Sequence, residues 1–245
     1  MKAYQAPKNL LQDRVILVTG AGQGIGRSAA LAFAAHGATV ILHGRNVAKL
    51  EAVYDEIEAA GSPQAAIFPL DLFSAEEKDY ESFAGGIRSQ LGRLDGILHN
   101  AAHLDTLHTL ETHSLAQWQV SMRVNLLAPF ALTRACLPLL KAAADASVVM
   151  TSETHGHAPA AYWGSFAVSM SGVEALVKVW AQELELYPNL RLNGIVPGPV
   201  QSPQRTKTHP GEVKESLPVP ESLMPQYLYL IGGDSRGVSG QIVTC

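Results

Sequence analysis

The sequence has very little cysteine, and this scarcity excludes several classes of protein. Cys136 and Cys245 are its two cysteines, the first inside an apolar stretch and the second at the last position. They form no CxxC spacing and no paired pattern, so neither a disulfide framework nor a cysteine-ligated zinc site is expected. We expect the protein to work in the reducing cytoplasm.

The sequence also lacks an excess of positive charge and a long apolar run. Lysine and arginine number 18 against 22 aspartates and glutamates, a formal net charge of -4. That balance offers no basic surface for nucleic acid or an anionic membrane. The opening residues MKAYQAPKNLLQDR contain no apolar core of signal-peptide length, and no later segment is expected to reach the length of a membrane span. We therefore predict no nucleic-acid partner and no membrane partner.

Short β-branched runs alternate with longer helical patterns along the chain. Apolar residues make up 47% of the 245 positions, enough to build the core of one domain, residues 1–245. The spacing predicts strands at 15–19, 38–43, 65–72, 94–100, 146–152 and 191–197. It predicts helices at 24–36, 46–61, 75–91, 114–141 and 163–187. Strands that alternate with crossover helices pair in parallel, so we predict an α/β fold with a doubly wound parallel sheet in three layers.

Two features depart from this alternation. Residues 201–225 carry five prolines and no regular period. A segment of that length is more often a functional lid than a plain connector, and a disordered surface loop is the alternative. The helix predicted at 114–141 contains Pro129 and Pro138, which we expect to interrupt it.

Four glycines mark the turn between the first strand and the first helix. In VILVTGAGQGIGRSAALAF they are Gly20, Gly22, Gly24 and Gly26. Glycines there allow a tight turn and the close approach of a pyrophosphate, whose charge meets the amides and dipole of the helix N-terminus. Because a strand and a helix flank them, we interpret them as a dinucleotide phosphate site. A glycine-rich turn without a ligand is the alternative.

The end of the second strand indicates which dinucleotide is bound. NAD sites usually place an aspartate or glutamate there to accept from the ribose 2′-hydroxyl, whereas a 2′-phosphate requires a cation. Arg45 and Asn46 occupy this place in ILHGRN, and no acid does. We predict NADP as the cofactor, with NAD as the alternative; an exposed arginine without a ligand remains the other interpretation of Arg45.

Motifs of other nucleotide-binding and metal enzymes are absent. The sequence has no GxxxxGK[ST] and no HExxH. Glu153, His155 and His157 alternate in ETHGH, but no second cluster of ligands accompanies them. We predict no metal site.

The motifs together resemble those of the short-chain dehydrogenase/reductase family. They are TGAGQGIG at 19–26, DL at 71–72, HNAA at 99–102, VN at 124–125 and PGPVQS at 197–202. The chain is most similar to a bacterial subgroup of oxidoreductases with an LDGxLHNA strand and an MPxYLYL helix. The resemblance implies a Rossmann-type fold that binds NAD(P) across the carboxyl ends of its strands. It also implies a homodimer or homotetramer, built through the helices at 114–141 and 163–187.

The resemblance assigns the cofactor contacts residue by residue. Phosphates are expected at the glycine turn, adenine at DL, ribose at the NA of HNAA, and the nicotinamide amide at PGPVQS. The residues expected to bind the cofactor are Gly20, Gln23, Gly24, Ile25, Gly26, Arg45, Asn46, Asp71, Leu72, Asn100, Ala101, Pro197, Gly198, Val200 and Ser202.

The chain departs from the family at the catalytic positions. The family uses a tyrosine as general acid or base, a lysine four residues later that lowers its pKa, and a serine thirteen residues earlier that orients the carbonyl. These positions hold Phe166, Met170 and Glu153, and only the helical Asn125 of the proton relay is retained. A phenyl ring has no proton to give, and a thioether has no charge.

We therefore expect a dinucleotide-binding protein deficient in the family's standard carbonyl/alcohol oxidoreduction. It would act as a sensor, a scaffold or a partner subunit, with Phe166 and Met170 packed together as an i, i+4 pair. The alternative is an active NADP-dependent oxidoreductase whose general acid is displaced to Tyr162 or His155. The small-molecule substrate is not assigned by the sequence.

Overall fold

The computed structural model describes residues 4–245, which form a seven-stranded sheet between two layers of helices. The strands are β1 (Val15–Thr19), β2 (Thr39–Gly44), β3 (Ala66–Pro69), β4 (Gly96–His99), β5 (Ala146–Thr151), β6 (Leu190–Val196) and β7 (Ile242–Thr244). The helices are α1 (Gly24–Ala35), α2 (Val47–Ala59), α3 (Glu77–Leu91), α4 (Leu115–Met122), α5 (Ala128–Ala142), α6 (Thr154–His157), α7 (Gly164–Glu183), α8 (Pro203–Thr208) and α9 (Met224–Ile231).

The sheet is parallel throughout, in the order β3-β2-β1-β4-β5-β6-β7. Successive side chains of a strand point to opposite faces. Ile16 of β1 therefore packs in the apolar cluster under α1, α2 and α9, and Leu17 packs in the cluster under α3, α5 and α7. The predicted doubly wound, three-layer sheet in a single domain is confirmed.

The predicted helix at 114–141 is continuous, so the expected interruption at its prolines is wrong. Pro129 lies inside this continuous helix just after its π-helical turn, and Pro138 is accommodated inside α5. The one irregularity is a π-helical turn at Arg123–Leu127, between α4 and α5. Packing of α5 on the sheet offsets the backbone hydrogen bond that Pro138 cannot make.

The same stretch also corrects the expectation about membrane spans. Among the described residues, Leu115–Ala142 is long and apolar enough by length and composition to cross a membrane. Leu132, Cys136 and Leu140 of this stretch are buried in the core cluster beneath the sheet. Core packing therefore accounts for its apolar character.

Residues 201–225 fold back on themselves, and we call them the lid segment. They contain α8 and two 3-10 turns, at Lys214–Ser216 and Pro220–Leu223. The Gln201 backbone amide donates to the Pro218 carbonyl at 3.0 Å, and Gln201 Nε2 donates to the Leu217 carbonyl at 2.9 Å. These bonds close the base of the lid segment.

Two histidines lie buried on the face of the sheet that α3 and α5 cover. Burial lowers the pKa of His43 to about 4 and that of His99 to about 3, because the interior disfavours the charged imidazole. His99 Nε2 lies 2.7 Å from Thr133 Oγ1. Within residues 4–245, neither ring nitrogen of His43 has a hydrogen-bond partner. Both rings are therefore neutral at pH 7.

We predict that the free energy of unfolding falls as the pH drops from about 6.5 toward 4. The unfolded chain takes up protons at the ordinary histidine pKa, whereas the folded chain does not, so acid favours the unfolded state. Each buried histidine contributes a slope of up to about 1.36 kcal/mol per pH unit. His43→Leu should remove one such contribution, and it should not lower stability at pH 7, because it removes an unpaired buried polar group.

Urea unfolding across this pH range measures the slope, with the half-buried His36 replaced in His36→Gln as the control. A wild-type slope retained in His43→Leu would contradict the prediction.

Candidate functional site

The site is a cleft of about 550 Å³ at the carboxyl ends of the central strands. From β1 the chain continues to β2 and β3 on one side, then returns to β4 on the other side of β1. The connections that follow β1 and β4 therefore diverge, and a cleft opens between them.

The turn from β1 to α1 forms one wall of this cleft. Gly20 has a φ of 68°, in the left-handed region that favours glycine. At Gly26, a Cβ would lie 2.2 Å from the Gly20 carbonyl oxygen, so only glycine fits there. Gln23 does not cap α1 with its side chain, and the first turn of α1 has no acidic residue. The amide end of α1 is therefore open to an anion.

Thr19 joins the ends of β1 and β4. Its Oγ1 accepts hydrogen bonds from the backbone amides of Asn100 at 2.9 Å and Ala101 at 3.0 Å. A Cβ on Gly20 would lie 3.0 Å from Ala101 Cα, so the two loops are in close contact. This contact places the Asn100–Ala101 pair opposite the glycine turn.

Two cations line the cleft at the end of β2. Arg45 and Lys49 are both exposed there, and Lys49 Nζ donates to Gln23 Oε1 at 2.5 Å. Asn46 Oδ1 accepts from the Lys49 backbone amide at 3.1 Å and caps α2. The sequence predicted Arg45 as a cofactor contact but not Lys49. Because Lys49 lies in the first turn of α2, close to Arg45 in sequence, it could have been predicted as a second cation for the 2′-phosphate.

The opposite end of the cleft is apolar. Phe166 and Met170 of α7 line it and are only 2% and 3% exposed. Trp163, which sequence reasoning missed, lines it beside them, with its ring centroid 6.0 Å from that of Phe166. Gly156 of α6 packs so closely on Met170 that a Cβ there would lie 2.4 Å from Met170 Cβ.

One carboxyl group enters this apolar end. Glu153 lines the cleft, and its Oε2 accepts from the His155 backbone amide at 2.6 Å and lies 3.0 Å from His155 Nδ1. The His155 imidazole stacks on Trp163 at 3.7 Å between ring centroids, with the planes 13° apart. The histidine ring is therefore fixed behind the carboxyl group.

The two alternative acids lie in different surroundings. Tyr162 is 60% exposed, has a φ of 74°, and is not among the residues that line the cleft. His155 also lies outside the lining but contacts Glu153, which belongs to it. Of the two, only His155 is connected to the cleft by a side-chain contact in the described part of the chain.

Asn125 lies behind the cleft rather than on its wall. The π-helical turn directs its side chain inward, where Oδ1 accepts from the His103 backbone amide at 2.7 Å. Its Nδ2 donates to the His103 carbonyl and to Ser169 Oγ, both at 3.0 Å. Asn125 therefore joins the loop after β4 to α7.

The structure brings nearly all of the predicted cofactor residues together. Gly26 is the exception, since it is buried behind the glycine turn. The lining includes Gly20, Gln23, Gly24, Ile25, Arg45, Asn46, Asp71, Leu72, Asn100, Ala101, Pro197, Gly198, Val200 and Ser202. Ser202 Oγ also caps α8 by accepting from the Arg205 amide at 3.1 Å. Residues 4–245 contain no group of three or more ligating side chains that could hold a metal ion.

Comparisons with known proteins agree with this geometry. The short chain dehydrogenase family profile matches residues 14–212. An uncharacterized oxidoreductase of Escherichia coli K12, YciK, is 41% identical over 97% of this chain and 93% of its own length.

Several solved structures are similar over nearly the whole chain. A short chain dehydrogenase from Pseudomonas syringae is 43% identical, with a TM-score of 0.95, and the match covers 100% of this chain and 99% of the other. A short chain dehydrogenase from Escherichia coli CFT073, complexed with NADPH, is 40% identical, with a TM-score of 0.94 and coverage of 98% and 99%. The parallel sheet, the glycine turn and these matches show that the chain belongs to the short-chain dehydrogenase family.

Proposed function

We propose that this chain is an NADP(H)-dependent oxidoreductase whose general acid is displaced from the family's tyrosine position to Glu153, backed by His155. The observation that carries the proposal is the Glu153 carboxyl group, held by His155 at the apolar end of the cleft. An oxidoreductase relative and an NADPH-bound structural neighbour support it. They favour an active oxidoreductase over the expected loss of catalysis.

Several features of the cleft suit NADP(H). The uncapped amide end of α1 suits the pyrophosphate. Arg45 and Lys49 can pair with a 2′-phosphate on the adenosine ribose. The end of β2 offers no aspartate or glutamate that would repel this phosphate. When bound, NADPH supplies a hydride for a carbonyl carbon.

We predict that NADPH binds more tightly than NADH, because Arg45 and Lys49 can pair with the 2′-phosphate. Arg45→Ala should weaken NADPH binding about tenfold or more and leave NADH binding nearly unchanged, since charge-assisted hydrogen bonds contribute about 1.5–3 kcal/mol. Lys49→Ala should act in the same direction. Cofactor fluorescence titration measures both.

Arg134→Ala is the matched control, because Arg134 is exposed on α5 and pairs with Glu77 away from the cleft. Equal affinity of the wild type for NADPH and NADH would show that neither Arg45 nor Lys49 binds the 2′-phosphate.

Proton transfer is assigned to Glu153. One carboxyl oxygen, Oε2, is engaged by His155, which leaves Oε1 for a substrate oxygen. In reduction, the Glu153 carboxyl group passes a proton from the His155 imidazole to the carbonyl oxygen. In oxidation, the carboxylate accepts the proton. Phe166, Met170 and Trp163 are almost fully buried and make this end of the cleft apolar, which strengthens the electrostatic interactions there.

We predict that Glu153→Gln lowers the rate of NADPH oxidation by about 10²- to 10⁴-fold, the usual range for loss of a general acid. His155→Gln should cause a smaller loss, because the carboxyl group remains. Tyr162→Phe should retain wild-type activity, since Tyr162 does not line the cleft. NADPH absorbance with a panel of aldehydes, ketones and quinones measures the rates. Activity that survives Glu153→Gln but is lost in Tyr162→Phe would contradict this assignment.

The second candidate is a dinucleotide-binding sensor, scaffold or partner subunit without turnover. Burial of Phe166 and Met170 favours it, because the positions of the family's tyrosine and lysine hold no ionisable group. In that case the wild type is inactive, and the combined change Glu153→Ser, Phe166→Tyr and Met170→Lys should produce turnover. Phe166→Tyr alone should produce less, because without a neighbouring cation its hydroxyl has an ordinary pKa of about 10.

The lid segment is proposed to cover the substrate. Gln204, Arg205 and Thr208 of α8 line the cleft, and the hydrogen bonds at the base of the segment hold it over this part of the cleft. Lys207 Nζ donates to the Leu104 carbonyl at 3.1 Å and joins the lid to the opposite loop.

We propose a homodimer or homotetramer that assembles through α5 and α7. Phe130, Val168 and Val179 on these helices, and Leu127 in the π-helical turn before α5, are between 36% and 52% exposed, an unusual set of large apolar side chains for a surface. Sedimentation at micromolar concentration should show an oligomer that Val168→Glu weakens. Leu186→Glu, at an exposed position beyond α7, is the control. A wild-type monomer would contradict the proposal.

A further inference from the structure

The lid segment places one guanidinium group in the cleft. Arg205 of α8 lines it, with a side chain that is only 19% exposed. The hydrogen-bonded carboxylate of Glu212, and to a smaller extent the charge of Glu153, raises the pKa of Arg205. The group therefore carries a full charge near the carboxyl group assigned to proton transfer.

The lid holds this guanidinium by one edge. Arg205 Nε donates to Glu212 Oε2 at 2.6 Å, and Nη2 donates to Glu212 Oε1 at 2.7 Å. Within residues 4–245, the remaining terminal nitrogen, Nη1, donates to no side chain or backbone group. A guanidinium has five N–H donors in a planar fork, so the second edge of Arg205 can take another carboxylate.

The end of the cleft that contains Glu153 is apolar and partly aromatic. Trp163, Phe166 and Met170 line the same cleft, together with Val120 and Val124 from the opposite helix. Such a surface suits a flat apolar body, and a charged group at its edge fixes the orientation of that body.

We propose that the substrate is a carbonyl compound with an apolar, planar body and a carboxylate, and that Arg205 binds this carboxylate through its free edge. This inference rests on the proposed function, because it places the reacting carbonyl between Arg205 and Glu153. Glu212 acts as a positioning residue that keeps the fork directed into the cleft.

Calorimetric titration of the NADP-loaded protein tests the inference, with trans-cinnamate as the probe and trans-cinnamamide as its neutral counterpart. Cinnamate should bind at least about tenfold more tightly than cinnamamide, the effect of one charge-assisted pair. Arg205→Gln should abolish this preference, and Arg205→Lys should retain part of it. Lys214→Gln removes an exposed cation from the same lid segment but outside the cleft lining, so it should keep the full preference.

Several outcomes would overturn the inference. They are equal binding of the two probes, a preference that survives Arg205→Gln, and displacement of cinnamate by inorganic phosphate at equal concentration. A loss of NADP affinity in Arg205→Gln as large as the loss of cinnamate affinity would instead make Arg205 a cofactor contact. If the protein prefers cinnamate but does not oxidise NADPH with any substrate of the panel, the carboxylate site at Arg205 is supported and the proposed reaction is wrong.

Discussion

The close contact between the carboxyl ends of β1 and β4 is the constraint on which the site depends. The Thr19 hydroxyl accepts from two successive amides of the β4 loop, and Gly20 lets the two backbones meet. A side chain at Gly20 or Gly26 would separate these loops or block the turn. Since the flanking connections diverge from this contact, the cleft and the open end of α1 follow from it.

The chemistry of the cleft is divided between its two ends. The end near β2 has two exposed cations and an open helix N-terminus, which suit phosphates. The end near α7 has buried apolar side chains around one carboxyl group. A family tyrosine and lysine would supply a proton and a positive charge on α7. Here we assign proton transfer to Glu153, and the lid segment contributes the Arg205 guanidinium to the lining.

Local patterns in the sequence predicted the central strands, the helices between them and the glycine turn. The spacing of apolar residues indicates the strands and helices, and the turn needs backbone conformations and close approaches that only glycine allows. The edge strand β7 was missed because three residues are too few to show a period. The proline prediction was wrong because tertiary packing outweighs one lost hydrogen bond in α5. Trp163 and Arg205 were missed because the faces of α7 and α8 that meet at the cleft depend on long-range packing.

A crystal structure of the protein with NADPH tests the central claim most directly. The account predicts the 2′-phosphate at Arg45 and Lys49, the pyrophosphate at the amide end of α1, and the nicotinamide beside Phe166 and Met170, with Glu153 facing the space in front of it. NADPH bound with its nicotinamide away from α7, or a Glu153 side chain turned out of the cleft in that complex, would contradict the assignment of proton transfer to Glu153.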